Sequence, residues 1–260
     1  SRRTLVWVDR QGRETPLKVP ERAYTYPRLS PDGTRIALSI RDQQDDIWVW
    51  DLTRETLTRM TFDPGADQYP AWTPDGRRLL FGSQAAGSPA PNVFWQAADG
   101  TGAAEQLTKA SNSTLPYAVS PDGSRVVLRE GNGTYDLSVL LLGNDRRTEP
   151  LVRTAFSELN AEISPDGRWL AYESNESGQR EIYGRPFPNV SGGRWQVSGG
   201  GGTRPLWARN GQELFYMTTS GADSTLMTVR IQPGAAWSAG TPTELFSGRF
   251  YFTETGIGEG

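Results

Sequence analysis

The stretch Ser30-Pro31-Asp32-Gly33-Thr34-Arg35-Ile36-Ala37-Leu38 joins a tight turn to a short apolar segment. In such a turn proline presets φ at the first corner, aspartate accepts the second corner, and glycine relieves the exit where the chain reverses. The turn recurs with its glycine 43 to 47 residues further on each time, at residues 73–76, 120–123, 164–167 and, in degenerate form, 208–211. A fixed period of about 20 to 50 residues is the signature of a repeat architecture.

Each turn belongs to a unit of short segments that read as strands. In the first unit apolar segments follow the turn at residues 36–38 and 47–50, and a weaker one at 57–60. With the strand before the turn, four short strands in about 44 residues are typical of a propeller blade. We therefore predict an all-β protein, a β-propeller of four-stranded antiparallel blades. We expect the apolar residue before each turn to pack between blades: Leu29, Trp72, Val119, Ile163 and Trp207.

The repeats predict a single propeller domain over residues 1–260. Five repeats cover residues 26–67, 68–113, 114–157, 158–201 and 202–248, residues 4–18 supply the outer strands of the closing blade, and 249–260 form a tail or partial strand. No further Pro-Asp-Gly turn follows Gly248. We favour a truncated six-bladed design with an incomplete last blade. Its open edge would permit self-association. Five self-closing blades, or strands supplied by a partner, are the alternatives.

The composition excludes several kinds of chemistry. The chain has no Cys and no His, which removes thiolate nucleophiles, Cys-ligated zinc, Ser-His-Asp catalysis and the HExxH zinc site. Two lysines and no GxxxxGK motif disfavour nucleotide hydrolysis. The net charge of −3, with scattered arginines, gives no basic face for nucleic acid. No apolar run is long enough to span a membrane. We expect no cofactor and no metal site.

The residues resemble a known family. The Ser-Pro-Asp-Gly turn, the Arg-Ile-Ala-Leu strand after it and the acidic residue before Ile47-Trp48-Val49 look like the PD40, or TolB-like, WD40-like propeller repeat, over almost the whole chain. More narrowly, residues 5–12, 160–175, 185–188 and 202–207 are similar to propellers attached after bacterial serine/threonine kinase domains. The chain itself lacks the HRD and DFG motifs of a kinase. The resemblance implies a bacterial protein, extracytoplasmic or periplasmic more than cytoplasmic.

Propellers place ligands and partner peptides at the channel mouth, in loops joining one blade to the next and in loops between second and third strands. Aromatic residues beside arginine there suit a peptide or a carboxylate ligand. Arg28 and Glu162 occupy equivalent positions in two repeats, so a structural role, pairing with each other, is the alternative. We predict these mouth residues: Tyr26, Arg28, Asp63, Asp67, Tyr69, Tyr117, Asn160, Glu162 and Arg204.

Three functions compete. The first is a non-catalytic propeller that binds a peptide, protein or small ligand, as the sensor domain of a bacterial kinase or as a TolB-like scaffold. The second is the propeller domain of a hydrolase, through prolyl-oligopeptidase-like gating or carboxylate-based glycoside chemistry, although no GxSxG elbow occurs in the chain. The third is a structural repeat whose open edge mediates assembly. We favour the first, with no catalytic residue in this chain.

Overall fold

The computed structural model describes residues 2–42, 44–84, 88–131, 133–220, 223–232, 234 and 236–248. The predicted tail at 249–260 lies outside the described residues. Five four-stranded antiparallel sheets follow one another along the chain. In each sheet the strands pair in sequence order, so that every blade is a simple meander. The prediction of an all-β propeller with four-stranded antiparallel blades is confirmed.

The strands have these bounds. The first blade contains β3 (Tyr24–Leu29), β4 (Arg35–Arg41), β5 (Asp45–Asp51) and β6 (Thr56–Arg59). The second contains β7 (Asp67–Trp72), β8 (Arg78–Ser83), β9 (Asn92–Ala97) and β10 (Glu105–Gln106), and the third β11 (Thr114–Val119), β12 (Arg125–Glu130), β13 (Asp136–Leu141) and β14 (Arg147–Val152). The fourth contains β15 (Glu158–Ile163), β16 (Trp169–Ser174), β17 (Glu181–Pro186) and β18 (Trp195–Gln196), and the fifth β19 (Thr203–Trp207), β20 (Glu213–Ser220), β21 (Asp223–Arg230) and β22 (Thr243–Gly248).

The number of blades corrects the main prediction. The described residues form five complete blades, as in the five-bladed alternative, and not six. The remaining strands, β1 (Val6–Val8) and β2 (Glu14–Pro16), pair only with each other in a two-stranded sheet. This hairpin bridges the two ends of the array. Leu5 and Leu17 pack on the core of the first blade, while Arg10 forms an ion pair with Glu213 of the fifth.

The repeated turn is held by its own side chains. In the first copy the N–H of Gly33 donates to the carbonyl of Ser30 at 2.9 Å, and Gly33 adopts a φ of 75°. Asp32 Oδ1 accepts hydrogen bonds from the Ser30 hydroxyl and the N–H of Thr34, and these bonds lower the pKa of Asp32 to about 2. The Ser30 hydroxyl in turn accepts from the N–H of Arg35. Because the stabilising groups are all local, each turn forms wherever its short motif occurs.

The residue before the turn fixes neighbouring blades together. Trp72 of the second blade donates its indole N–H to the carbonyl of Arg28 in the first, at 2.8 Å. Trp207 of the fifth blade makes the equivalent bond to Glu162 of the fourth, at 3.3 Å. The expectation of packing between blades fails at Leu29, which is 40% exposed. The reason is that no four-stranded blade precedes the first blade among the described residues.

Candidate functional site

The inner strands carry a β-bulge at one shared level. The register with the second strand of the blade shifts in all five inner strands, next to Tyr26, Tyr69, Tyr117, Asn160 and Arg204. Four of these residues adopt a positive φ, between 48° and 58°. In β11 a proline, Pro116, stands at the equivalent place, and because its ring excludes positive φ the bulge falls on Tyr117 instead. The bulge thus places five of the predicted residues at one level of the channel.

Three tyrosines at this level form a continuous cluster. The rings of Tyr26 and Tyr69 stack with centroids 3.9 Å apart, and their hydroxyls are joined by a 2.8 Å hydrogen bond. Tyr117 meets Tyr69 edge to face at 6.3 Å. Tyr69 and Tyr117 are buried, whereas Tyr26 is partly exposed. Burial raises the pKa of Tyr117 to about 12, so its hydroxyl is neutral at pH 7 and can donate a hydrogen bond.

Arg129 of β12 completes this cluster and was not among the predicted residues. Its guanidinium lies over the rings of Tyr69 and Tyr135, at 5.2 and 4.5 Å from their centroids. The side chain is buried. The sequence contained a usable signal, because Arg129 lies six residues after a turn glycine, Gly123, and directly after the apolar run 126–128. We name Arg129, Tyr26, Tyr69, Tyr117 and Tyr135 the arginine–tyrosine cluster.

The equivalent position of the fourth blade carries the opposite charge. Glu173, six residues after Gly167, is 1% exposed. Its carboxylate accepts hydrogen bonds from the side chain of Asn160 at 2.9 Å, the backbone N–H of Arg204 at 3.0 Å and the hydroxyl of Thr203. It also pairs with Arg180 at 2.5 Å. Two predicted residues, Asn160 and Arg204, are therefore joined through one buried carboxylate.

Arg28 and Glu162 lie deeper in the channel. They are two residues further along β3 and β15 than Tyr26 and Asn160. Their side chains form an ion pair between the first and the fourth blade, with 33% and 16% of the side-chain surface exposed. Inner strands of blades that are not neighbours in the chain meet only across the channel. The pair therefore spans the channel, and each of the two charges is already engaged.

The structure does not bring the two predicted aspartates into the tyrosine cluster. Asp63 is exposed in the linker between β6 and β7. Asp67 is buried at the start of β7, where burial and the negative charges of Asp46 and Asp63 raise its pKa to about 6. Both residues belong to the rim where inner strands begin.

Two exposed phenylalanines stand on the same rim. Phe62, 71% exposed, lies in the linker before β7, and Phe156, 41% exposed, lies in the linker before β15. Each linker leads into an inner strand, so both rings border the channel mouth. Large apolar side chains exposed around a polar centre are a feature of interaction surfaces. Sequence reasoning missed them, although an aromatic residue in a polar linker was visible.

Neither of two surface cavities described below involves the predicted residues. One, of about 650 Å³, lies between the β1–β2 hairpin and the fifth blade and is lined in part by Arg10 and Glu213. The other, of about 840 Å³, lies on the first blade beside Trp48. Within the described ranges no group of three or more acidic, His or Cys side chains is placed to hold a metal ion. No helix of the described part of the chain is long and apolar enough to cross a membrane.

Comparisons with known proteins show what the repeat is similar to. Residues 11–131, just under half of the chain, match the family model PD40, described as the TolB beta propeller domain. The chain resembles TolB-like β-propellers. It is 27% identical over 150 residues to the Tol-Pal system protein TolB of Helicobacter pylori, a match that covers 55% of this chain and 35% of that protein. It is also 27% identical over 199 residues to the uncharacterized peptidase YuxL of Bacillus subtilis, covering 58% of this chain and 29% of that protein.

Solved structures agree with the propeller fold. The putative TolB of Agrobacterium tumefaciens superposes with a TM-score of 0.79 at 15% identity, over 95% of this chain and 90% of that one. At this identity the likeness concerns the fold alone. Because the chain spans about a third of the length of both curated relatives, the activities of those whole proteins do not transfer to it directly. The resemblance to kinase-attached propellers stays a prediction.

Proposed function

We propose that this TolB-like propeller is a non-catalytic binding module that takes a protein or an extended peptide at the channel mouth. The observation that carries the proposal is the arrangement of the mouth, an arginine–tyrosine cluster bordered by exposed Phe62 and Phe156. Tyrosine, phenylalanine and arginine are the residue types enriched in the buried centres of protein interfaces. The likeness to TolB proteins supports the same role.

The charges of the mouth favour binding over carboxylate chemistry. Glycoside hydrolysis needs two carboxyl groups free to act as acid and as base or nucleophile. Glu162 is paired with Arg28, and Glu173 is held by Arg180 and by three further donors. Carboxylates fixed in this way act as structural acceptors. This supports a chain that is not itself an enzyme.

The setting of the module belongs to the same proposal. We infer an extracytoplasmic or periplasmic location and a role as a scaffold in an envelope assembly, or as the sensor of a kinase. Likeness to a Tol-Pal system protein supports the scaffold, and the similarity of residues 5–12 and 160–175 to kinase-attached propellers supports the sensor. The proposal also keeps the repeat boundaries 26–67, 68–113, 114–157, 158–201 and 202–248.

Selection of peptides from a displayed library tests the binding role. Peptides selected on the purified chain are measured against Phe62→Ala and Phe156→Ala, with Trp7→Ala as the matched control because Trp7 is an exposed aromatic on β1. We expect each mouth variant to weaken binding at least about tenfold and the control to leave it unchanged, as expected for interface anchors. Equal binding by all three variants would place the binding surface elsewhere.

A second function is favoured by the likeness to the peptidase YuxL. In that case the propeller would be one domain of a larger hydrolase and its channel would control access to an active site outside this chain. The sequence of the adjoining gene decides between the two. A hydrolase domain with a GxSxG elbow next to this segment would support the peptidase, and a kinase domain would support the sensor.

A further inference from the structure

Arg129 is a buried charge without a counter-charge. The residue is 6% exposed, and no ion pair joins it to a carboxylate within the described part of the chain. Its one side-chain hydrogen bond runs to the Tyr69 hydroxyl and is long, at 3.4 Å. Its Nε has no hydrogen-bond partner. A buried guanidinium usually pairs with a carboxylate, because an isolated charge in a protein interior is strongly unfavourable.

Two other buried charged residues of this chain do have a counter-charge. Asp46, with 6% of its side chain exposed, pairs with Arg59 at 2.9 Å, and Glu173 pairs with Arg180. Glu173 occupies the same repeat position as Arg129, and its oxygens are already taken by four donors. It is therefore not available to neutralise Arg129. Of the two charged residues at this repeat position, only Arg129 lacks a counter-charge in the described part of the chain.

A second donor in the cluster is also unsatisfied. The Tyr117 hydroxyl is buried, and its hydrogen is donated to no group in the described part of the chain; its oxygen faces the backbone N–H of Asn160, which by itself lowers the pKa of Tyr117. Tyr117 and Arg129 both lie against the ring of Tyr69, Tyr117 edge to face at 6.3 Å and the guanidinium of Arg129 at 5.2 Å from the ring centroid. The positive charge of Arg129 acts on Tyr117 enough to oppose the rise in the pKa of Tyr117 that burial causes. Two unsatisfied groups with donor hydrogens thus lie together behind partly exposed Tyr26.

We propose that Arg129 and Tyr117 form a binding site for a carboxylate group, entered from the channel mouth past Tyr26. The proposal deepens the proposed function, on which it rests for its ligand, an extended peptide. One guanidinium neutralises one negative charge, which favours a monoanion over a phosphate dianion. A planar carboxylate matches the planar array of N–H groups of arginine and can also accept a hydrogen bond from the tyrosine hydroxyl.

Acetate is the direct probe, because it carries the group and nothing else. The Nε–H signal of Arg129 is followed by NMR during titration with sodium acetate at constant ionic strength, and with acetamide as the neutral control. We expect a saturable shift with acetate and none with acetamide. Arg129→Gln should abolish binding, and Tyr117→Phe should weaken it at least about tenfold, the effect of one hydrogen bond to a charged group. Arg125→Gln, at the other end of β12, is the matched control and should bind as the wild type does.

Tyr117→Phe keeps the test valid if Arg129→Gln fails to fold. The hydrogen of its hydroxyl is donated to no group in the described part of the free protein, so a purely structural role predicts unchanged acetate binding. A linear, unsaturable shift, or equal responses to acetate and acetamide, would overturn the proposal.

Two short peptides then distinguish the source of the carboxylate. N-acetyl-Gly-Phe offers a chain terminus, and N-acetyl-Asp-Phe-amide offers an acidic side chain. Tighter binding of one peptide assigns the source, provided that Arg129→Gln removes it. Peptides that bind the mouth equally well as acids and as amides would keep the proposed function and remove the carboxylate site. If acetate binds but no peptide is selected at the mouth, the carboxylate site is kept and the proposed function is removed.

Discussion

Arg28 and Glu162 form an ion pair that spans the central channel, joining the first blade to the fourth across 134 residues of sequence. Both side chains come from inner strands and both are more than half buried. The pair is therefore a tie between blades that do not follow one another in the chain. The pair also sets how far the channel is open from its mouth, because the two side chains cross the channel at this level.

Removing Arg28 leaves the Glu162 carboxylate unpaired in a largely buried position. We expect Arg28→Ala to lower the free energy of unfolding by about 1 to 3 kcal/mol, and the double variant with Glu162→Ala to recover part of that loss. Urea denaturation of the single and double variants measures the coupling. Arg168→Ala is the control, because the Arg168–Asp166 pair is exposed and should contribute less than about 1 kcal/mol. A double variant whose effects simply add would show that the pair contributes no coupling.

Two buried carboxyl groups make stability depend on pH. Burial raises the pKa of Asp67 to about 6 and that of Glu158 to about 7. Unfolding returns them to about 3.9 and 4.3 and so releases protons between those limits. The free energy of unfolding should fall as pH rises from 5 to about 7, and level off above. Urea midpoints at pH 5 and pH 8 measure this.

Neutral substitutions should remove that dependence. At pH 8 we expect Asp67→Asn and Glu158→Gln each to be more stable than the wild type by about 1 to 2 kcal/mol, because neither must hold a buried charge. Asp145→Asn, at an exposed site in the loop between β13 and β14, is the control. A wild type that is more stable at pH 8 than at pH 5, with both variants behaving alike, would contradict the assignment.

The indole of Trp72 should contribute to the stability of the protein through its N–H as well as through its bulk. Trp72→Phe keeps a ring between the first two blades but leaves the carbonyl of Arg28 without its donor. We expect a loss of about 1 to 2 kcal/mol in unfolding free energy, measured by chemical denaturation. Trp7→Phe is matched in chemistry and exposed, and should be nearly neutral. Equal stability of the two variants would mean that the bond between blades is not important.

The edge of the β1–β2 hairpin should associate with other copies. Among the described residues β1 pairs on one side only, and an unpaired strand edge accepts further strands. We expect light scattering to show a mass that rises with protein concentration, and Trp7→Lys to reduce that rise because an edge lysine opposes strand pairing. Asp145→Lys, in the exposed loop between β13 and β14, is the control. A wild-type mass that does not depend on protein concentration would contradict self-association through this edge.

The blade is predictable from the sequence because its determinants are local. The side chains of Ser30 and Asp32 close the turn themselves, so five copies of a short motif predict five hairpins. The number of blades has no such local determinant. It depends on which strands pair with β1, and nothing in residues 6–8 states that β1 pairs with β2 alone.

The channel residues show the same division. Tyr26 and Asn160 were placed on inner strands because they precede the turn by a fixed distance, but whether they bind a ligand stays a prediction. Arg129 was not predicted as a mouth residue because it lies on the second strand of its blade. Only the bulge of the inner strand brings Tyr117 and Tyr69 against it. Recognising it requires comparing equivalent positions across repeats, where Arg129 and Glu173 are the charged exceptions.

In the inner strands, the backbone conformation of the bulge is independent of which side chain the bulged residue carries. The positive φ recurs at Tyr26, Tyr69, Asn160 and Arg204, which are chemically unlike one another, so the geometry does not depend on any one of them. For protein engineering, this makes a ring of positions that can be randomised while the blades stay constant. A library varied at these sites, with asparagine and glycine well represented because they tolerate positive φ, would offer a rigid scaffold from which new recognition proteins can be selected.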